Sequence, residues 1–258
     1  MPLRFSTGLR NYLGKDGGVK QALNNGKIFI YSGAQPASAD DAAPGTLLAI
    51  ITKSSGTLTE EVQAVGSVAL TGGGSGSVDT ITVNGVSILP AAVPFNSTLA
   101  QTATDVATAI NNNPQNLLFI ASTGGTPTIS IKARLGLGAL ANGWVVASTA
   151  TTITKTDSNM AGGVTAVNGL TFGDASSGTL VKNPLETWTG LGLAAGTAGW
   201  FRFEGALADT EASDTAGAFN RLDGNISTSG ANLNMSSTTI AVDATQTIST
   251  FNLTIPAA

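Results

Sequence analysis

The chain has 258 residues, enough for one large domain or for two smaller domains that each bury a core. Charged residues make up 11%, aromatic residues 5% and hydrophobic residues 42%, which excludes intrinsic disorder and is typical of a β-rich protein with a Thr/Ser surface. The formal net charge is −4 with only 12 Lys and Arg, and Cys and His are absent. These features argue against a direct nucleic-acid partner, disulfides, thiolate chemistry and histidine-based catalysis or zinc binding.

The first fifty residues predict two short helices followed by two strands. Polar capping residues before apolar positions, with closing Gly or Asn, are typical of short helices. Alternation of Ile28 and Ile30 with Phe29 and Tyr31 is typical of a strand. The predicted elements are a helix capped by Ser6 or Thr7 and ending at Gly14, a helix at 19–23, and strands at 27–31 and 46–52.

The middle of the chain opens with a Gly/Ser-rich stretch, Gly72–Ser77, that has the composition of a flexible linker. Beyond it, Asn84-Gly85 and Gly124-Gly125 each predict a β-hairpin. The run Gly143–Thr156 predicts one further strand.

One segment of the middle region predicts the only convincing long helix. Ser97 or Thr98 can cap it, and three asparagines followed by Pro114 end it. Its apolar positions recur at helical spacing on one face, namely Leu99, Ala103, Val106 and Ile110. The middle region therefore reads as β-α-β-β-β.

The last part of the chain again reads as strands and turns. Trp200 and Arg202 alternate with Phe201 and Phe203, which predicts a strand. Near the end, Thr238–Val242 and Thr247–Ile255 predict two antiparallel strands around Asp243-Ala244-Thr245, with Phe251, Leu253 and Ile255 on one face.

These elements predict an antiparallel β-sandwich that carries an inserted α+β domain. Residues 1–61 and 166–258 each lack enough strands for a sandwich, whereas together they supply six to eight. Residues 62–165 form the predicted insert, with Gly72–Ser77 and Ala161–Val164 as its entrance and exit. The alternative is a single continuous β domain with one helix laid across it.

Glycine-rich stretches do not predict a nucleotide site. Gly8 to Gly14-Lys15 has five intervening residues where a phosphate-binding loop has four, and Asp16 follows. The run Gly190–Gly196 resembles a dinucleotide-binding loop in glycine content, but it lacks a strand-turn-helix context. Glycines in a β turn explain the second stretch.

The acidic residues offer the main remaining chemistry. The adjacent pairs Asp40-Asp41 and Glu60-Glu61 are poorly placed for acid/base catalysis, since neighbours on a strand point apart. A second group could bind calcium through oxygen atoms, but its spacing misses the EF-hand pattern, and we interpret it as a solvated acidic loop. This group comprises Glu204, Asp209, Glu211 and Asp214.

Two further patterns have ordinary structural explanations. Trp144, Trp188 and Trp200 could line a sugar-binding surface, although core or interface packing is the default for tryptophan. Asn96-Ser97-Thr98 and Asn252-Leu253-Thr254 match the glycosylation sequon, as chance allows in a chain rich in Asn and Thr.

Three segments of the chain resemble virion proteins of tailed bacteriophages. "RFSTGLRNYL" with "LNNGKIFIYSGAQPASADDAAPGTLLAII", then "ETWTGLGLAAGTAGWFRF" and "NLNMSSTTIAVDATQTISTFNLTIPA", are similar to parts of a family of uncharacterised phage structural proteins. The middle, with "ITVNGVSILPAAVPFN", "ATDVATAINNN" and "ANGWVVASTATTIT", is similar to a module that recurs in phage tail and capsid-associated proteins. The resemblance implies a virion component and brings no catalytic residues.

We therefore expect a non-enzymatic virion structural protein that is assembled in the bacterial host cytoplasm, and we favour a capsid-decorating or head-associated role. The alternatives are a tail, neck or baseplate component, a carbohydrate- or receptor-binding virion protein and, last, a carboxylate-dependent glycosidase. Expected partners are other virion proteins and further copies of the chain. No membrane partner is expected, because no apolar run reaches about 18 residues. We assign no catalytic, cofactor-binding or metal-binding residue.

The N-terminal segment has two possible roles within this assembly. Leu3, Phe5, Leu9 and Leu13 stand in a short polar setting. They form either an arm that docks on a neighbouring copy or an ordinary N-terminal segment packed on its own domain.

Overall fold

The computed structural model describes residues 3–254. It is mainly β, with 41% strand and 12% helix, and its sheets are antiparallel apart from one pair of strands. This confirms the predicted mainly β class and is consistent with a β-sandwich. No helix within residues 3–254 combines the length and the apolar character that crossing a bilayer requires.

The described residues form three α-helices, one 3-10 helix and nineteen strands. The helices are α1 (Thr7–Lys15), α2 (Val19–Leu23) and α3 (Leu99–Asn111), with the 3-10 helix at Gly138–Ala141. The strands are, in chain order, β1 (Arg4–Phe5), β2 (Lys27–Ser32), β3 (Leu47–Lys53), β4 (Val65–Gly72), β5 (Ser77–Val83), β6 (Val86–Ser87), β7 (Val93–Pro94), β8 (Phe119–Ser122), β9 (Thr128–Ala133), β10 (Val146–Thr151), β11 (Thr154–Ala161), β12 (Thr179–Val181), β13 (Trp188–Leu191), β14 (Gly196–Glu204), β15 (Arg221–Ser227), β16 (Leu233–Asn234), β17 (Thr239–Ile240), β18 (Thr245–Ile248) and β19 (Asn252–Thr254).

The chain divides into two compact units. Unit 1 contains the chain up to Glu61 and from Ala166 onward, and unit 2 is the continuous stretch Val62–Thr165. Within unit 2, Val62 and Val164 exchange two backbone hydrogen bonds, of 3.0 and 2.8 Å. The first residue of unit 2 and its next-to-last residue therefore lie side by side, so the two ends of this unit are adjacent.

Unit 1 is built on a nine-stranded sheet. Its order is β1-β15-β14-β2-β3-β13-β18, with β16 beside β15 and β17 beside β14. The β15–β16 pair is parallel, and the other pairs in this sheet are antiparallel. A separate two-stranded ribbon, β12–β19, belongs to the same unit.

The two central strands of this sheet, β2 and β14, bury both of their faces. Ile28, Phe201 and Phe203 belong to the main core, as the predicted alternation requires. Tyr31 and Trp200 stack on the opposite face, with ring centroids 4.6 Å apart. Helices α1 and α2 and the β12–β19 ribbon contribute to the main core, which therefore lies between the sheet and these elements.

The N-terminal helices follow their predicted capping. The Ser6 hydroxyl accepts a hydrogen bond from the Leu9 N–H at 3.1 Å and so caps α1. The same hydroxyl donates to the Phe219 carbonyl at 2.7 Å, which ties the helix to its own unit. Helix α2 has the predicted bounds, and α1 ends at Lys15, one residue beyond the predicted Gly14.

Unit 2 contains two four-stranded sheets and helix α3. One sheet has the order β10-β5-β6 with β7 beside β5, and the other has the order β11-β4-β9-β8. The Thr98 hydroxyl caps α3 by accepting from the Gln101 N–H at 3.1 Å. Ala103, Val106 and Ile110 are buried on one helix face, as predicted, and contribute to a core that belongs to unit 2 alone.

Both predicted hairpins of unit 2 are present. Asn84 and Gly85 have φ values of 50° and 80° between β5 and β6, the left-handed backbone that a tight hairpin turn needs. Gly124 and Gly125 join β8 to β9 with φ values of 58° and 79°.

The interpretation of Gly72–Ser77 as a linker and entrance is wrong. This stretch closes the connection from β4 to β5 inside unit 2. Gly76 has φ +93°, and a Cβ atom there would lie 2.0 Å from the Thr151 carbonyl oxygen. The glycines therefore serve a close backbone approach and a turn, which composition alone does not distinguish from flexibility.

Two other strand predictions are also corrected. Gly143–Thr156 contains the whole of β10 and the start of β11, which are separated by a turn at Thr152 with φ 66°, so unit 2 has more strands than β-α-β-β-β. The two predicted C-terminal strands do not pair with each other: β17 pairs with β14, β18 with β13, and β19 with β12. Each strand satisfies its backbone groups against a different neighbour. Ile255 lies outside the described residues.

Candidate functional site

Two fully buried arginines organise the polar interior of unit 1. Arg202 on β14 donates from Nε and Nη2 to the two carboxylate oxygens of Asp223 on β15, both at 2.8 Å. Both side chains have 0% exposure. The Arg202 Nη2 atom also donates to the Asp41 carbonyl at 3.1 Å, which fixes the loop after β2.

Arg221 at the start of β15 makes the second buried pair. Its Nε donates to Asp209 at 2.6 Å, and its Nη2 donates to the other oxygen of the same carboxylate. The same Nη2 donates to the Ala212 carbonyl at 2.9 Å. Arg221 thereby holds the loop between β14 and β15 against the sheet.

Three carboxylates converge beside these arginines. One oxygen each of Glu204, Asp209 and Glu211 lies within 4.8 Å of the other two. The Glu211 carboxylate accepts a hydrogen bond from the Tyr31 hydroxyl at 2.9 Å. Glu204 is only 1% exposed, and neither of its carboxylate oxygens has a hydrogen-bond partner among residues 3–254. We call these three residues the carboxylate cluster.

The pKa directions reflect this arrangement. Burial raises the pKa of Tyr31 above its ordinary value, and the neighbouring Glu211 carboxylate raises it further. Burial disfavours the charged form of Arg202, but Asp223 outweighs burial and raises the pKa of the guanidinium. Desolvation pushes the pKa of Asp214 upward, but hydrogen bonds from the Ala218 and Phe219 N–H groups lower it overall.

The interpretation of this segment as a solvated acidic loop is therefore wrong for most of its acids. Glu204 and Asp214 are buried, the Asp209 side chain is 3% exposed, and the Glu211 side chain is 26% exposed. The physical reason is that two buried guanidiniums require carboxylate partners. The signal in the sequence is Arg202, which stands between Phe201 and Phe203 in the aromatic part of β14.

The adjacent acid pairs have structural roles. Asp40 accepts hydrogen bonds from the N–H and the hydroxyl of Thr7 at the start of α1, both at 2.7 Å. Asp41 accepts from the Ser38 N–H at 2.8 Å. Glu60 pairs with Lys27 at 2.7 Å, while Glu61 is buried at 3% exposure.

The glycine-rich stretches serve packing. Gly8 lies inside α1, where a Cβ atom would come within 2.3 Å of the Phe219 carbonyl oxygen. Gly190 lies in β13, where a Cβ atom would come within 1.9 Å of the Ile50 carbonyl oxygen. Neither stretch forms a loop before a helix that could cradle a phosphate.

The three tryptophans do not form a common sugar-binding surface. Trp188 and Trp200 are completely buried in unit 1. Trp144 in unit 2 is half-buried and packs edge-on against Phe119, with centroids 6.1 Å apart. Of the sequon asparagines, Asn96 donates from its side chain to Asp105 at 2.7 Å, and Asn252 lies in β19.

The N-terminal segment packs on its own unit. Leu9 is fully buried in the core of unit 1, and Leu3, Phe5 and Leu13 pack against the same core. Strand β1 also pairs with β15 of this unit. Of the two roles left open for this segment, the structure shows the ordinary N-terminal one.

Exposed aliphatic side chains occur on both units. In unit 1, the exposed residues Leu191 and Leu193 flank Gly192. The backbone of Gly192 exchanges hydrogen bonds with Asp243 and Ala244, the two residues that follow the exposed Val242. We call Leu191, Leu193 and Val242 the β13 apolar patch. Within residues 3–254, the other exposed large aliphatic residues are Val62, Val65, Val86, Leu117, Leu118, Leu140, Val145 and Val164 in unit 2, and Val167, Val181 and Leu185 in unit 1.

Comparisons with known proteins do not place the chain in a family. A scan against family models, a search of curated proteins and a search of solved structures each found no match.

Proposed function

We propose that this chain is a non-enzymatic structural component of a tailed-phage virion, with a capsid-decorating or head-associated position. Three segments of the outer part resemble phage structural proteins, and the middle resembles a phage module. The weakly charged composition, with 11% charged residues, suits close packing between repeated copies.

The observation that carries this proposal is the set of aliphatic side chains exposed on both units. Leu185 is 93% exposed and Leu117 is 73% exposed, and the β13 apolar patch adds three neighbouring residues. Isolated exposed aliphatic residues are normal, but repeated ones on a surface with few charges favour burial against other proteins. The proposed partners are other virion proteins and further copies of the chain.

The polar interior of unit 1 supports a structural role over hydrolysis. The cavity beside Glu204 and Asp209 has a volume of about 20 Å³, which holds about one water molecule. A glycosidase needs a cleft that admits a sugar ring between its two carboxylates. Asp209 is also bound by Arg221, so its carboxylate serves the fold.

Sedimentation equilibrium of the full chain over a range of concentrations tests the assembly proposal. We expect an oligomer whose dissociation rises when Leu191 and Leu193 are both changed to Ser. The matched control is the double change of Thr104 and Thr108 to Ser, which alters two exposed polar positions on α3 and no exposed aliphatic side chain. The proposal would be contradicted if the chain is a monomer at every concentration and does not bind to purified phage particles.

A further inference from the structure

The carboxylate cluster has the dimensions of a cation site. Two oxygen ligands on opposite sides of a calcium ion lie about 4.8 Å apart, because each Ca–O distance is about 2.4 Å. One oxygen each from Glu204, Asp209 and Glu211 falls within that limit of the other two. The separations of the three oxygens are therefore within the range found between ligands of one ion.

Glu204 gives a second observation that points to a ligand. The residue is 1% exposed, and among residues 3–254 neither carboxylate oxygen has a hydrogen-bond partner. Its nearest cation is Lys27 Nζ at 3.6 Å, and that ammonium makes its close contact with Glu60 at 2.7 Å. A buried ionised carboxylate that lacks hydrogen bonds is costly, and a cation would remove that cost.

The local charges leave two carboxylates uncompensated. The close ion pairs are Arg202 with Asp223, Arg221 with Asp209, and Lys27 with Glu60. Asp214 also lacks a close ion pair, but it accepts hydrogen bonds from the Ala218 and Phe219 N–H groups. Glu204 and Glu211 remain, with only longer ionic contacts, of 3.6 Å to Lys27 and 3.7 Å to Arg202. A single divalent cation would balance these two charges.

A small cavity lies beside two of the three carboxylates, and the third carboxylate, Glu211, is partly exposed. Glu204 and Asp209 both line the cavity of about 20 Å³, which has room for one water molecule or one ion. Asp209 accepts two hydrogen bonds from Arg221, and a carboxylate keeps further lone pairs for a metal. The Glu211 side chain is 26% exposed, so it connects the cluster to solvent.

We propose that Glu204, Asp209 and Glu211 bind one Ca²⁺ ion that locks the loop between β14 and β15. The donors are all oxygen atoms, which suits a hard cation, and Ca²⁺ tolerates the irregular geometry that Mg²⁺ does not. This inference goes beyond the proposed assembly role and does not depend on it.

Terbium luminescence of the metal-free full chain tests this site. Tb³⁺ replaces Ca²⁺ at oxygen sites and emits when a nearby aromatic ring is excited. Tyr31 donates to Glu211 at 2.9 Å and stacks on Trp200 at 4.6 Å, so both rings can sensitise the ion. We expect saturable emission that Ca²⁺ competes away. Ca²⁺ at about 100 times its Kd should also raise Tm by about 5–10 °C.

Two variants and one control complete the test. Glu204→Gln keeps the side-chain shape and should abolish the emission and the Ca²⁺-dependent rise in Tm. Glu211→Gln, at the more exposed ligand, should do the same and serves if the first variant does not fold. Asp174→Asn changes a fully exposed acid and should leave both signals intact. Absence of emission and of any Tm response in the unmodified chain, or emission that persists in both glutamine variants, would overturn the assignment.

Discussion

Arg202 and Asp223 form an ion pair with no exposure to solvent. Removing one partner of such a pair leaves the other charge buried without compensation, and that loss outweighs the attraction given up. For this reason the two fully buried arginines of unit 1, Arg202 and Arg221, rather than any exposed acid, are the polar residues on which its stability depends most.

Arg202→Met is therefore expected to lower the free energy of unfolding by about 3–5 kcal/mol. Chemical denaturation followed by tryptophan fluorescence measures the change, since Trp188 and Trp200 are both in unit 1. Lys20→Met is the control, because Lys20 pairs with the fully exposed Asp174. Equal destabilisation by both changes would contradict the role given to Arg202.

Tyr31 gives a pH-dependent prediction. Burial and then Glu211 raise the pKa of its phenol in the folded chain, while the unfolded value is about 10. The neutral phenol therefore contributes stability that is fully present below pH 10 and is lost as the pH rises above it. In a Tyr12→Phe background, where Tyr31 is the remaining tyrosine, absorbance titration should show phenolate only above the ordinary range. A midpoint near pH 10 in the folded protein would refute this.

The partners of individual buried side chains are the part of the site that the sequence predicts least well. The alternation in β14 places Arg202 on the face of Trp200, but nothing in the sequence identifies Asp223 as its partner. In the sequence, the carboxylate cluster is recognisable only as an acidic stretch near residues 204–214. Its burial depends on long-range pairing, which local pattern does not encode.

At the scale of elements, the sequence pattern predicts local turns correctly but does not predict which distant strands pair. Asn84-Gly85 has its expected structure because a two-residue turn with positive φ is a local property. The C-terminal strands were misassigned because β17, β18 and β19 each pair with a distant strand. Gly72–Ser77 was misassigned because glycine marks both flexible linkers and tight backbone contacts.

Gly76→Ala tests the corrected view of that stretch. Gly76 has φ +93°, and its added Cβ would lie 2.0 Å from the Thr151 carbonyl oxygen. We expect a loss of about 2 kcal/mol or more in the stability of unit 2. Gly74→Ala is the matched control, since a Cβ there meets nothing within 4 Å. If both variants unfold at the same denaturant concentration as the parent chain, Gly72–Ser77 acts as a flexible linker and the close backbone contact at Gly76 is wrong.

At the scale of the whole molecule, the division into two units explains why one stretch of chain can have its own core. Unit 2 is continuous, and its ends are joined by backbone hydrogen bonds between Val62 and Val164. Its core residues come from its own helix and strands. A unit with adjacent ends and a private core can fold without the rest of the chain.

We therefore expect residues 62–165, produced alone, to fold cooperatively. Thermal unfolding by circular dichroism and a dispersed amide NMR spectrum measure this. Ile110→Ala within the same fragment should lower its stability by about 2–5 kcal/mol, because Ile110 is fully buried against the sheet. A fragment without a cooperative transition would mean that unit 2 depends on unit 1.

Immunogold electron microscopy of intact phage particles tests the central claim most directly. Antibodies raised against residues 62–165 are applied to particles from the host that carries the gene, and denatured particles are probed in parallel. The account predicts the protein among the particle components and label distributed over the heads. Label confined to the neck or tail would move the protein to the alternative position. Absence of the protein from denatured particles would contradict a virion role.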